Sequence, residues 1–144
     1  MLIWIVSVQL NIHTERKLMT KHNKKVQKIH RETIAKIQEH LSKNKIPYFV
    51  SPNRGETGCD LIIEKDGILK RVKCQVGWHQ NGNINFWVTD HDCEIRRLDL
   101  IYVHDPVFKK VYRVPAPIAS DSCGILRYMP VFRRKFVFAK EYEV

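Results

Sequence analysis

From about Lys21 to Asn44 the residues Val26, Ile29, Thr33, Ile37 and Leu41 recur at three- and four-residue intervals, with lysines and glutamates filling many of the remaining positions. That spacing predicts one long amphipathic helix whose apolar side rests on a sheet. The break from Ser42 to Asn44, followed by Pro47, marks its end, because proline cannot continue a helix. Ahead of it, MLIWIVSVQL is strongly apolar but too short to span a bilayer, with no positive region before it and no small-residue cleavage site after it. It reads as an extra strand, with residues 1–18 a strand appendage to a domain covering 1–144. The second reading is an interfacial or dimer-forming segment built around Trp4.

Beyond the helix the period changes to two. Tyr48 to Val50 is a short apolar stretch, and SPNRGETG then has the composition of a loop. Cys59 to Glu64 and Ile68 to Val76 flank Lys65-Asp66-Gly67, which predicts an antiparallel hairpin turning near Asp66. Counting outward from that turn sets Asp60 across from Lys73. Alternation then gathers Asp60, Ile62 and Glu64 with Arg71, Lys73 and Gln75 on polar faces, and Leu61, Ile63, Val72, Cys74 and Val76 on apolar ones. Trp78 to Asn83 reads as a loop, Ile84 to Thr89 and Leu98 to Val103 as strands, and Val111 to Val114 as a strand pairing with Leu98 to Val103 across DPVFKK. Pro115 and Pro117 argue against its continuation, and YMPVFRRKFVFAKEY has the aromatic content of an edge strand or packed tail.

The chain has 144 residues with 44% hydrophobic content, enough for one core without disulfides or metals. Cys59, Cys74, Cys93 and Cys123 are widely spaced and include no CxxC pair, so a four-cysteine zinc site is disfavoured and buried thiols in a reducing compartment are the default. Lysine and arginine number 25 against 15 aspartate and glutamate, a formal net charge of +10 that attracts a polyanion. Nucleic acid is the first partner this implies. A basic surface for solubility or for a protein partner is the bland alternative.

A basic helix, an aspartate opening a hairpin strand and a lysine on the return strand, followed by a loop with Trp and Gly, resemble the PD-(D/E)XK nuclease superfamily, above all its small endonuclease-like and archaeal Holliday-junction-resolvase-like members. The likeness runs over roughly residues 22 to 115. It implies a restriction-endonuclease-like α/β core: a mixed, mainly antiparallel sheet packed by an N-terminal helix. It also implies Mg²⁺ or Mn²⁺ bound by Asp60 with Glu32 or Glu64, catalytic roles for Asp60, Lys73, Gln75 and Glu32, and a homodimer acting on duplex or branched DNA.

One departure matters. Where the family carries Glu or Gln ahead of the spacer and lysine, this chain has Arg71-Val72-Lys73. Arg71 cannot ligate a cation but suits a phosphate, so two readings stay open: a ligand supplied elsewhere, by Glu32, Glu56, Glu64 or the Gln75 amide, or DNA binding retained without cleavage. Asp60 opposite Lys73 is also an ordinary cross-strand charge pair, worth about 0.2–1 kcal/mol, which needs no active site.

Lys24, Lys28, Arg71, Arg96, Arg97 and His79 are candidates for backbone phosphate contacts, and Arg133, Arg134 and Lys135 form a second basic cluster. The run Asp90 to Glu94 is rich in metal-binding types but reads as an exposed polar turn, because adjacent residues on an extended chain point to opposite sides. No spacing matches a zinc finger, an RNA-binding aromatic motif or a nucleotide-binding loop, so a nucleotide cofactor is not expected, nor is a membrane span. The expected location is cytoplasmic or nucleoid-associated. A basic structural or protein-interaction role remains the third reading.

Overall fold

The structure, a computed structural model, describes residues 2–51, 58–88, 97–122, 124–127 and 139–144. Helix α1 (Leu2–Lys43) is followed by the short strand β1 (Tyr48–Val50), the hairpin β2 (Leu61–Lys65) and β3 (Ile68–Val76), and a small hairpin β4 (Trp78–Gln80) and β5 (Asn83–Asn85). A second long hairpin, β6 (Leu100–Asp105) and β7 (Lys110–Pro115), leads into α2 (Ala116–Asp121), β8 (Ile125–Arg127) and α3 (Ala139–Tyr142).

The expected strand at the N-terminus is instead part of α1. No glycine or proline falls between Leu2 and Lys43, so nothing stops the helix from running back through the apolar start. Among the described residues no strand pairs with that start. The expected apolar face is also shorter than the periodicity suggested. Thr33, Ile34, Ile37 and Leu41 are buried, whereas every described side chain from Lys21 to Ile29 is exposed, Val26 and Ile29 included, and from there burial sets in at His30.

Five strands form one sheet in the order β1-β2-β3-β6-β7, antiparallel except for the β3–β6 pair. The β2–β3 register matches expectation, with Leu61 opposite Val72 and Lys65 opposite Ile68. Asp66 and Gly67 both adopt positive φ, the geometry of a tight two-residue hairpin turn that matches strand twist. The β6–β7 pairing across Pro106 to Lys109 also matches.

The chain between β3 and β6 departs from the sequence reading. Trp78 to Asn83 is not a loop but most of a hairpin turned by Asn81 and Gly82; of the strand expected over Ile84 to Thr89, Ile84 and Asn85 belong to β5 and Phe86 to Val88 are not strand, while Thr89 lies outside the described residues. Strands β4, β5 and β8 make a separate three-stranded sheet. Gly77 sits at the junction, and a side chain there would crowd Ile84 and Val103, so its absence lets the small sheet close onto the large one.

The result is three layers. Ile34, Ile37 and Leu41 of α1 pack on Leu61, Ile63, Val72, Cys74, Leu100 and Tyr102. On the opposite face Ile84 and Phe86, with Ala119 of α2 and Ala139 of α3, cover Ile101, Val103 and Val114. Strand β6 is therefore buried on both sides, and its nearly unbroken apolar sequence follows from that position. Cys59 and Cys74 are buried, as expected. Cys93, Cys123, Glu56, Arg96, the Asp90 to Glu94 run and the Arg133 to Lys135 cluster lie outside the described residues. Among the described residues no helix is long and apolar enough to cross a membrane.

Candidate functional site

The site forms where β2 begins. The Asp60 N–H donates to the Val72 carbonyl at 2.8 Å; Val72 is already the partner of Leu61, so Asp60 and Leu61 both oppose it in a bulge where the β2–β3 pairing ends, and Asp60 is not paired with Lys73 as the count from the turn suggested. Beyond that point the chain leaves β3, and the Cys74 N–H loses its strand partner. The Asp60 carboxylate replaces it, accepting from Cys74 N–H through Oδ2 at 2.8 Å. A buried backbone donor is thereby satisfied by a side chain, which explains why a carboxylate tolerates 5% exposure.

The other carboxylate oxygen, Oδ1, lies 3.1 Å from Nε2 of His30. Among the described side chains of α1, burial begins at His30, and there the long helix holds an imidazole against the aspartate. The resemblance assigned that helix position to Glu32. Glu32 is exposed, pairs with Lys28 at 3.9 Å, and lies about 200° round the helix from His30. It is not brought to Asp60. The signal for His30 was present in the sequence, since His30, Thr33, Ile37 and Leu41 follow one helical stripe and only the inner end of a stripe can reach a strand edge.

Lys73 and Gln75 lie on the same face of β3, opposite Ile101 and Val103 of β6, and both are half-buried. Arg71 extends this row. Its N–H donates to Asp99 Oδ2 at 2.8 Å and its carbonyl accepts from the Asp99 N–H at 3.0 Å, so the backbone at Arg71 is fixed from both sides. The layer over the β6–β7 face does not fully bury this row. Arg71, Lys73 and Gln75 therefore form a polar ledge beside the small cluster of Cys59, Leu98, Ala116 and Ile62.

Other sequence candidates are elsewhere. Glu64 is exposed, four residues along β2 from Asp60 or about 13 Å away, next to the hairpin turn. Lys24 and Lys28 are exposed on the part of α1 that precedes the sheet contact. Arg97 is exposed and adopts positive φ immediately before Leu98 enters the small cluster. His79 follows the end of β3, where Nε2 lies 2.8 Å from Oδ2 of the fully buried Asp105 and the ring meets Phe108 edge-on at 4.8 Å. It serves the β6–β7 turn, not the Asp60 ledge.

A divalent cation is implied by the resemblance. Asp60 is the described carboxylate that would hold it, and one or two carboxylates are what a magnesium site usually takes from protein, with water and phosphate filling the rest. Among the described residues no group of three His, Cys, Asp or Glu side chains could enclose a metal ion. Both Asp60 oxygens already accept contacts, so a cation there would have to share or displace His30.

No protein-family model matches the chain, and no curated protein matches it. Among solved structures the fold is similar to that of a bacterial homing endonuclease, I-Ssp6803I, with a TM-score of 0.58 and 16% sequence identity over 79% of this chain and 83% of that one. The α/β architecture, a mixed five-stranded sheet packed by the N-terminal helix, is thus one that a homing endonuclease also has.

Proposed function

We propose that this protein acts on DNA as an endonuclease-like protein of the PD-(D/E)XK type, with Asp60, Lys73 and His30 at its centre. The observation that carries the reading is the position of Asp60, a buried carboxylate at the divergence of β2 and β3 that bonds to Val72 and Cys74, the residues on either side of Lys73, in a fold similar to that of a homing endonuclease. The Lys73 ammonium would neutralise charge on a phosphoryl group entering over the ledge, and Gln75, two residues on, would donate to its oxygens. Arg71 would clamp a neighbouring phosphate through its forked guanidinium. His30 would orient the Asp60 carboxylate. Bound Mg²⁺ or Mn²⁺ would supply polarisation of the scissile phosphate.

Lys24 and Lys28 extend the basic surface along α1, where duplex or branched DNA would follow backbone contacts without base readout. A homodimer would present two such centres to the two strands. The second reading is DNA binding without cleavage. It is favoured by Arg71 at the acidic position and by the lack, among the described residues, of three metal-binding side chains together.

The deciding experiment measures nicking of supercoiled plasmid and of a four-way junction with Mg²⁺, Mn²⁺ or EDTA, comparing wild type with Asp60→Asn at equal DNA occupancy. Metal-dependent cleavage lost in the variant supports the nuclease reading. Salt-sensitive binding with no cleavage in any metal supports the binding-only reading, and absence of DNA binding rejects both.

A further inference from the structure

Ten residues farther along α1 from His30, or about 15 Å, the helix and the β6–β7 hairpin enclose a cleft of about 370 Å³. Lys36 and Lys43 reach its rim from α1 and Lys109 from the β6–β7 turn, with His40 and His104 between them. Arg113 belongs to the same side, since it pairs with Tyr102 across β6–β7 and acts on both Tyr102 and His40. Three lysines line the cleft and Arg113 acts on it through His40, against two acids: Glu39, itself held by Lys43 at 3.4 Å and Lys36 at 3.7 Å, and Asp105, which acts on His104.

We propose that this cleft binds a phosphate-type oxyanion, at a site separate from Asp60. Excess positive charge walled by Pro106 and Val111 favours a compact anion over a neutral ligand. The Tyr102 ring lies 6.4 Å from the His40 ring between centroids, and its buried hydroxyl is close enough to Arg113 for the guanidinium to act on it by hydrogen bonding and by charge.

The two histidines make binding proton-linked. Burial first, then Arg113 and Lys43, hold His40 below the usual histidine value; burial and Lys36 do the same for His104, against Asp105 and Glu39. Lys109 faces the same space. An anion among them stabilises both imidazolium forms, so it binds more tightly as pH falls.

The test follows the His40 and His104 ring protons by NMR in the full chain between about pH 5.5 and 7.5, during titration with inorganic phosphate, with a short DNA duplex, and with sodium chloride at matched ionic strength. Both histidines are expected to shift saturably with phosphate or with duplex but not with chloride, and affinity should rise several-fold per pH unit lowered. Lys43→Gln with Lys109→Asn should weaken binding about tenfold; asparagine is chosen because residue 109 has positive φ. Response to phosphate alone indicates a free or terminal phosphate, and response to duplex alone a DNA backbone. Equal response to chloride, no response to either anion, or unchanged affinity in the variant overturns the proposal. Asp60→Asn should leave it intact, which separates it from the fate of the nuclease reading.

Discussion

His30 Nε2 lies 3.1 Å from Asp60 Oδ1, joining α1 to the point where the first hairpin opens. This contact couples thirty residues of separation into one polar unit, because the second Asp60 oxygen already caps Cys74 N–H. Helix, strand edge and carboxylate are therefore adjusted together, and substitutions at either residue should be felt at the other.

Asp60→Ala and Asp60→Asn should differ. Alanine leaves the buried Cys74 N–H without an acceptor, at a cost of about 1–3 kcal/mol, whereas asparagine retains a carbonyl oxygen there and should lie within about 1 kcal/mol of wild type. Urea denaturation of both variants measures this. If both lose cleavage and only alanine loses stability, the loss belongs to charge and not to folding.

A double-mutant cycle on His30→Ala and Asp60→Asn should give non-additivity of about 0.5–1 kcal/mol in stability. Under the nuclease reading His30→Ala should also lower the turnover rate at unchanged DNA affinity. Equal, additive effects would remove His30 from the site.

His79 should prove structural. Asp105 is fully buried, accepts from His79 and from the Val107 and Phe108 N–H groups, and closes the turn before β7. Asp105→Ala should cost about 3 kcal/mol by thermal denaturation. His79→Ala should cost less and leave the salt dependence of DNA binding unchanged.

Lys24→Ala and Lys28→Ala should each weaken DNA binding on every sequence and reduce the slope of log K against log salt by about 1. Glu32→Ala, whose partner is the exposed Lys28, should not reduce cleavage. Fluorescence anisotropy across a salt series reads the first effect and the plasmid assay the second.

Stability should fall in mild acid. Burial holds His40 and His104 below the ordinary value of 6.5, so the unfolded chain takes up those protons first as pH drops. The neutral rings contribute fully above about pH 6.5, and that contribution is lost as pH falls through their lower folded values. Replacing both with glutamine should flatten the pH dependence of the urea midpoint in that window.

The sequence by itself determined what rests on local pattern. The end of α1, the Asp66-Gly67 turn, the β2–β3 register from Leu61 to Val72 and the β6–β7 pairing all follow from periodicity and turn residues within a few positions of each other. Tertiary structure decided the rest. Branched residues such as Ile3 and Ile5 suggest a strand, but a strand needs a partner, and without one the helix runs on. Asn81-Gly82 signalled a hairpin, but its flanking segments are too short to stand out and are stabilised only by closure onto Val103. The exchange of Glu32 for His30 depends on which helix turn first meets the sheet, a distance that periodicity cannot encode. The lysine and histidine cleft joins residues from α1 to residues more than sixty positions later, so only the folded chain creates it.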